Sequence, residues 1–246
     1  MFLYTLKIFE IRKETEDTVT LCFKQPALRK IKYQAGQYLT LVFRINGRRY
    51  IRPYSFSSSP LFDSVLEITV KRIPNGIVSN HIHDIVRVGD SIEVMQPMGD
   101  FLYHPDNNRD QVFLWGAGSG ITPLISIVKQ ILKEFPLVRV SLIYGNRNNE
   151  TTIFANLINK LLKDYSERFK VWHFITQLSV TQDLPYIIQG RINKANILHI
   201  MKDIHAEKSL HYICGPYGLK ESVKESLAHL NISSDQIFSE DFELLK

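Results

Sequence analysis

The stretch RPYS (52–55) puts a guanidinium, an aromatic ring and a hydroxyl within four residues, between two segments that alternate like strands, YLTLVFRINGRRYI and SVLEITVKR. Side chains alternate across a strand, so Arg52 and Tyr54 share one face. A loop rich in serine would account for Ser55, Ser57, Ser58 and Ser59, but not for an Arg two residues before a Tyr. Taken alone, the pair reads equally as an exposed Arg and a core Tyr of an ordinary barrel strand. A second chemical stretch is GAGSGITP (116–123), which follows an apolar strand and opens a helix. Glycines there let the backbone come close to a ligand, and the amides and dipole of a helix start favour an anion such as a pyrophosphate. Thr122 can cap that helix and Pro123 suits its first turn. The spacing is G-x-G-x-G and no Lys follows, which excludes an ATPase phosphate loop. A tight strand–helix turn without a ligand is the alternative. The third is CGPYG (214–218), again between strand and helix. Gly215 and Pro216 leave a flat strand end that suits a planar ring. Cys214 is either a small polarisable group at that tip or a core residue.

The elements that must position these residues change character along the chain. Up to about residue 105 the period is two: Thr18–Phe23, Tyr38–Arg44, Tyr50–Phe56, Val65–Val70 and Ser91–Val94 read as short strands, and Asn46-Gly47 as a hairpin turn. One helical piece, Ile77–Val86, interrupts them. PDNNRD (105–110) reads as a linker. Beyond it, strands 112–115, 138–144, 169–176 and 210–214 alternate with helical patterns over 121–135, 152–165 and 219–230. The expected fold is an antiparallel β-barrel over residues 1–104, followed by a doubly wound parallel α/β domain over 105–246. Ligands of such sheets bind at the carboxyl ends of the strands, near the switch in strand order.

Composition limits the function classes. Of 246 residues, 44% are hydrophobic and 22% charged, as in a soluble globular protein. No apolar run reaches the roughly 20 residues of a membrane span, and the N-terminus lacks the features of a secretory signal. Cys22 and Cys214 are the only cysteines, too few for an iron–sulfur cluster, so a reducing, cytoplasmic setting is expected. Net charge is +5, of which +4 falls in the first 105 residues (14 Lys+Arg against 10 Asp+Glu). That is too weak for nucleic acid, but suits an acidic protein or phosphate ligands.

With RPYS, GIVSN (76–80), GAGSGITP and CGPYG in this order, nearly the whole chain resembles the ferredoxin–NADP reductase superfamily. YGNR (144–147) is similar to the oxygenase reductase components within it, such as phenylacetyl-CoA epoxidase reductase. The resemblance implies a Greek-key FAD barrel before an NAD(P) domain. Arg52, with Pro53 beside it, would neutralise the FAD pyrophosphate; Tyr54 would stack on the isoalloxazine; Ser55 would offer its hydroxyl to the flavin N5. Gly76, Ile77, Val78 and Ser79 would cradle phosphate, Val70 would give backbone contacts to the polar edge of the flavin ring, and Lys71 beside it is a further cofactor-binding candidate. PMGDF (97–101) is similar to the segment that closes the flavin domain. Gly118 and Thr122 would hold the NAD(P)H pyrophosphate, and Cys214 with Gly215 would sit beside the nicotinamide. Glu240 and Phe242 resemble the family's acidic and aromatic pair. Arg147 and Arg191 lie where a 2′-phosphate would be recognised, which favours NADPH over NADH.

The implied activity is an FAD enzyme that takes hydride from NAD(P)H and passes electrons to a separate acceptor: a ferredoxin, a flavodoxin or an oxygenase component. Oxygenase reductases often continue into a [2Fe–2S] domain; this sequence stops at Lys246, soon after SEDF, so it is expected either to work without a cluster or to be one part of a larger protein. The competing readings are a reductase of free flavin and an electron-transfer component of a larger assembly. His81 and His83 lack further ligands at metal spacing, so no metal is expected. His199, His205 and His211 read as surface or helix-end residues, and Cys22 as core.

Overall fold

The computed structural model describes residues 3–25, 30–106, 108–177 and 186–241. Six strands form the first sheet: β1 (Leu3–Thr15), β2 (Thr18–Phe23), β3 (Tyr38–Ile45), β4 (Arg48–Ser55), β5 (Leu66–Lys71) and β6 (Ser91–Met95). They are antiparallel in the order β4-β3-β6-β1-β2-β5. A bridge between Phe56 and Ile68 joins the two outer strands and closes the barrel. Asn46 and Gly47 both take positive φ (50° and 76°), as the hairpin between β3 and β4 demands. Alternate residues Leu66, Ile68 and Val70 of β5 point into the barrel core with Leu21, Phe23, Leu39 and Leu41. The sequence pattern does not announce β1. This strand pairs with β6 over its first half and β2 over its second, with register shifts between Ile8 and Glu10 and between Lys13 and Thr15. Those shifts interrupt its alternation and hide the pattern.

The second sheet holds β7 (Gln111–Ala117), β8 (Arg139–Asn146), β9 (Phe169–Ile175), β10 (Ile187–Gln189), β11 (Ser209–Cys214) and β12 (Ile237–Glu240), all parallel, in the order β10-β9-β8-β7-β11-β12. The order reverses between β7 and β11. Helices α2 (Ile121–Glu134) and α3 (Ala155–Asp164) contribute to a core on one face; α4 (Lys194–Ile200) and α5 (Tyr217–His229) contribute to a core on the other. The helix α1 (Ile77–Asp84) belongs to the barrel. β10 and α4 also escape the sequence pattern; three and seven residues are too short for a clear period.

The serines after RPYS are not a solvated loop. Ser57, Ser58 and Ser59 are fully buried. The Ser57 carbonyl accepts from Lys129 Nζ (2.9 Å) and the Ser58 carbonyl from Ser126 Oγ (2.5 Å), both on α2. Ser58 Oγ meets Tyr33 Oη at 2.7 Å and accepts from the Glu67 amide at 2.9 Å. Short polar side chains are needed because the segment is wedged between barrel and nucleotide domain. The residues expected as a linker are likewise pinned: Arg109 pairs with Asp106 and Asp235, and Asp110 with Arg139.

His211 corrects a sequence expectation. It lies in the interior of β11, fully buried, stacked against Phe113 at 5.3 Å. Trp115 Nε1 donates to its Nδ1 at 3.2 Å, and its Nε2 meets Ser209 Oγ at 3.0 Å. Burial drives its pKa down to about 3. A central parallel strand is covered on both faces, so a mid-strand His must be buried whatever its polarity.

Candidate functional site

A cleft of about 1490 Å³ runs between the two sheets. On the barrel side β4 presents Arg52, Pro53, Tyr54 and Ser55. Their alternation holds: Leu41 and Leu39 are the register partners of Arg52 and Tyr54. Arg52 is half-buried and donates from Nη1 to the Ile51 carbonyl at 2.9 Å; it has no ion pair among the described residues, so its charge remains free for a ligand. Tyr54 is half-buried, and this burial pushes its phenol up to about 12 and keeps it neutral. The start of α1 supplies Gly76, Ile77, Val78 and Ser79. Ser79 Oγ accepts from the Ile73 amide at 3.1 Å and so fixes the turn before the helix. A side chain on Gly76 would collide with that same Ser79 hydroxyl. Lys71 lines the cleft too, with Nζ 3.4 Å from Asp17.

On the nucleotide side the two glycine turns flank the switch between β7 and β11. Gly118 has φ +53°, and a Cβ there would meet nothing within 4 Å, so the turn faces open space. Gly120 is the opposite case: a Cβ would strike the carbonyl of Cys214. Only glycine lets the two turns approach this closely, and the start of α2 is thereby held against the end of β11. Thr122 is not the cap of α2. Gly120 occupies the cap position, and Thr122, two residues on, donates from Oγ1 to the Ser119 carbonyl at 2.9 Å. A single turn of 3₁₀ helix over Gly118–Gly120 shifts the helix start and takes the capping place from the threonine. Arg147, Arg191, Gly215 and Glu240 complete the cleft wall.

Three expected residues stand apart. Val70 is buried in the barrel; its carbonyl lies 3.2 Å from His83 Nε2, so that ring nitrogen is engaged within the barrel. Cys214 is fully buried under the Gly120 turn, and burial pushes its thiol pKa up, which keeps it protonated. It reaches the cleft through its backbone neighbour Gly215. Phe242 lies outside the described residues. Glu240 is half-buried; burial, with Asp100 nearby, raises its carboxyl pKa.

Sequence reading misses several wall residues. Tyr38, Thr69, Asn146 and Thr176 line the cleft. Asn146 is 8% exposed, and its Nδ2 has no hydrogen-bond partner among the described residues. That buried amide lies beside the glycine turn and the Tyr144 hydroxyl, on the wall of the cleft. Its signal is a polar residue at the carboxyl end of a parallel strand, overshadowed by Arg147 beside it.

Family descriptions agree with this geometry. The oxidoreductase FAD-binding domain family matches residues 5–103, and the oxidoreductase NAD-binding domain family matches residues 114–225. The chain belongs to the ferredoxin–NADP reductase superfamily. It is 33% identical to the ferredoxin reductase component of 3-ketosteroid-9-alpha-monooxygenase from Mycobacterium tuberculosis, over 98% of this chain and 66% of that protein. It is 30% identical to a component of the 1,2-phenylacetyl-CoA epoxidase of Escherichia coli, over 97% of this chain and 67% of that protein. The chain thus spans about two-thirds of the length of these relatives. Among solved structures, the FAD/NAD-binding domain of nitric oxide dioxygenase from Vibrio cholerae superposes with a TM-score of 0.81, at 25% identity, over 97% of this chain and 98% of that one. The two cofactor domains of this superfamily member are therefore the barrel and the parallel sheet, and the cleft is where both border. Its walls fit the cofactors: the Arg52 guanidinium without an ion pair, the Gly76 turn, the open Gly118 turn and the buried Asn146 amide offer charge, backbone room and a polar donor on one cavity. Among the described residues, no helix is long and apolar enough to cross a membrane, and no group of three His, Cys, Asp or Glu side chains could hold a metal.

Proposed function

We propose that the protein is a reductase: it takes hydride from NAD(P)H onto FAD held in the cleft and delivers electrons to a separate acceptor. The single observation that carries this is one continuous cavity walled by both the Arg52–Ser55 strand and the two glycine turns. When bound, FAD supplies the hydride-to-electron conversion. Arg52 and the Gly76–Ser79 turn neutralise and grip its pyrophosphate; Tyr54 supports the ring; Ser55 directs a hydroxyl to the reacting edge. Gly118, the start of α2 and Asn146 hold the nicotinamide nucleotide. Glu240, with its raised pKa, stands at the nicotinamide side. The purified protein is expected to be yellow, and acid-released flavin to chromatograph as FAD. Release of FMN, or loss of colour on gel filtration, would favour the reductase of free flavin instead.

We infer a preference for NADPH from Arg147, whose side chain is 62% exposed and only 3.8 Å from Asp17, a loose pair that leaves the guanidinium available. Arg191 is exposed on the same wall. Charge-assisted bonds to a 2′-phosphate contribute about 1.5–3 kcal/mol, or roughly 10–10²-fold in kcat/KM. Arg147→Ala is expected to lose that factor for NADPH and little for NADH. Equal losses for both would remove Arg147 from this role.

The acceptor we favour is an acidic ferredoxin, flavodoxin or oxygenase component. Lys30, Lys32, Arg48 and Arg49 are exposed on the barrel, whereas Lys71 and Arg72 are already engaged by Asp17 and Asp84. Reduction of an acidic acceptor is expected to slow as salt rises, since charges are screened beyond about 10 Å at 0.1 M. Reduction of a neutral quinone serves as the salt-insensitive control. A flat response with the acidic protein would exclude this docking surface.

A further inference from the structure

Three hydroxyls and a carboxyl lie in file on the outer face of the barrel, where it meets the nucleotide domain. Ser57 Oγ and Thr69 Oγ1 are 3.0 Å apart, Thr69 Oγ1 and Thr20 Oγ1 2.8 Å, and Thr20 Oγ1 and Glu14 Oε1 2.7 Å. Thr69 is the inner end: it lines the cleft. The antiparallel bridge between Phe56 and Ile68 sets it opposite Ser55 in register. Glu14 is the outer end and is partly exposed. Thr20, between them, is fully buried. The file therefore crosses from cleft to solvent through a group that water does not reach.

Hydrogen accounting allows two patterns. Each hydroxyl has one hydrogen to give. If Thr20 donates to the Glu14 carboxylate, the short Thr20–Thr69 contact requires Thr69 to turn its one hydrogen from Ser57, its acceptor at 3.0 Å, to Thr20. If Glu14 carries a proton, the reversed order satisfies the same three contacts. The patterns differ by one proton, taken up at Thr69 from the cleft and held at the carboxyl, after which Thr69 again donates to Ser57. We propose that Thr69, Thr20 and Glu14 form a proton relay between the flavin end of the cleft and solvent; this rests on the reductase reading above. The relay has work to do in that reaction. With a metal-centred oxidant the balance is NAD(P)H plus two ferricyanide giving NAD(P)⁺, two ferrocyanide and H⁺. Two electrons reach the iron and the proton must leave the protein separately. The surroundings of Glu14 support proton exchange: burial raises its carboxyl pKa, Thr20, Arg12 and Lys129 pull it down, and Glu67 pushes it up.

The test follows proton and electrons separately in the flavin-loaded protein, without oxygen, using ferricyanide and a pH-indicator dye. Thr20→Val preserves side-chain shape and removes the middle hydroxyl. Reduction by NADPH is expected at the wild-type rate, whereas proton release on adding ferricyanide slows by about 10²-fold, the lower range for a positioned proton-transfer group. Thr20→Ser restores it. Wild-type proton release in Thr20→Val overturns the relay. In the cofactor-free protein, the ¹³C titration of the Glu14 carboxyl should move upward in Thr20→Val, because a donor to the charged form is lost. An unmoved titration also overturns the relay, whether or not flavin binds. Failure of NADPH to reduce the wild-type protein would instead count against the proposed function, and is read before ferricyanide is added.

Discussion

Ser55→Ala is expected to slow reduction of the bound flavin by NAD(P)H about 10²–10³-fold, the usual loss when one positioned donor to developing charge is removed. Ser55 ends β4, pairs in register with Tyr38 and is 6% exposed, yet it lines the cleft. Its hydroxyl is thus fixed by a strand rather than a loop, and the small remaining exposure faces the cleft. FAD affinity should hardly change, since Arg52, Tyr54 and the Gly76 turn are untouched. Stopped-flow reduction at full FAD occupancy measures the rate, and flavin titration of the stripped protein measures affinity. An unchanged rate would remove Ser55 from the chemistry. Equal losses in rate and affinity would make it a binding residue only.

Lys129→Met is expected to cost about 3–5 kcal/mol of stability, the range for breaking a buried ion pair by deleting one partner. Lys129 is 2% exposed. Its ammonium reaches from α2 into the barrel, 2.9 Å from the Ser57 carbonyl, 3.0 Å from Asp63 and 3.6 Å from Glu67. Methionine fills the space but leaves the Ser57 carbonyl and the Asp63 carboxylate without their cation, while Glu67 keeps Arg12 at 2.9 Å. Urea unfolding measures the loss. The double variant Lys129→Met, Asp63→Asn should recover part of it, because the uncompensated carboxylate is gone. A loss below about 1 kcal/mol in the single variant would mean that the pair behaves like a surface one. Since Ser57 follows the flavin strand by two residues, the same clamp holds that strand against the nucleotide domain.

Much of this is legible in the chain because it depends on neighbours in sequence. Alternation marks the barrel strands β2 to β6, and the 3.6-residue period marks α2, α3 and α5. The glycine turns announce themselves since close backbone approach needs glycine locally. Arg52, Tyr54 and Ser55 stand out because alternation alone gives two of them a common face.

Other features depend on what a residue meets across the fold. The bent strand β1 serves two partners, so its register shifts blur the period. His211 reads as peripheral because nothing nearby reveals that both faces of β11 are covered. The capping place expected for Thr122 goes to Gly120 once a 3₁₀ turn precedes the helix. Lys129 carries no local signal of its burial, because its partners Asp63 and Glu67 come from far back in the chain. Glu14, Thr20 and Thr69 are ordinary polar residues of three strands; only the pairings β1–β2 and β2–β5 bring their oxygens into one file. The elements, their order and the stretches able to touch cofactors follow from the residues in line, because backbone periodicity and glycine geometry are local properties. Which polar side chains are buried together follows from the folded molecule alone, because hydrogen bonds and ion pairs between distant residues are set by strand register and domain packing.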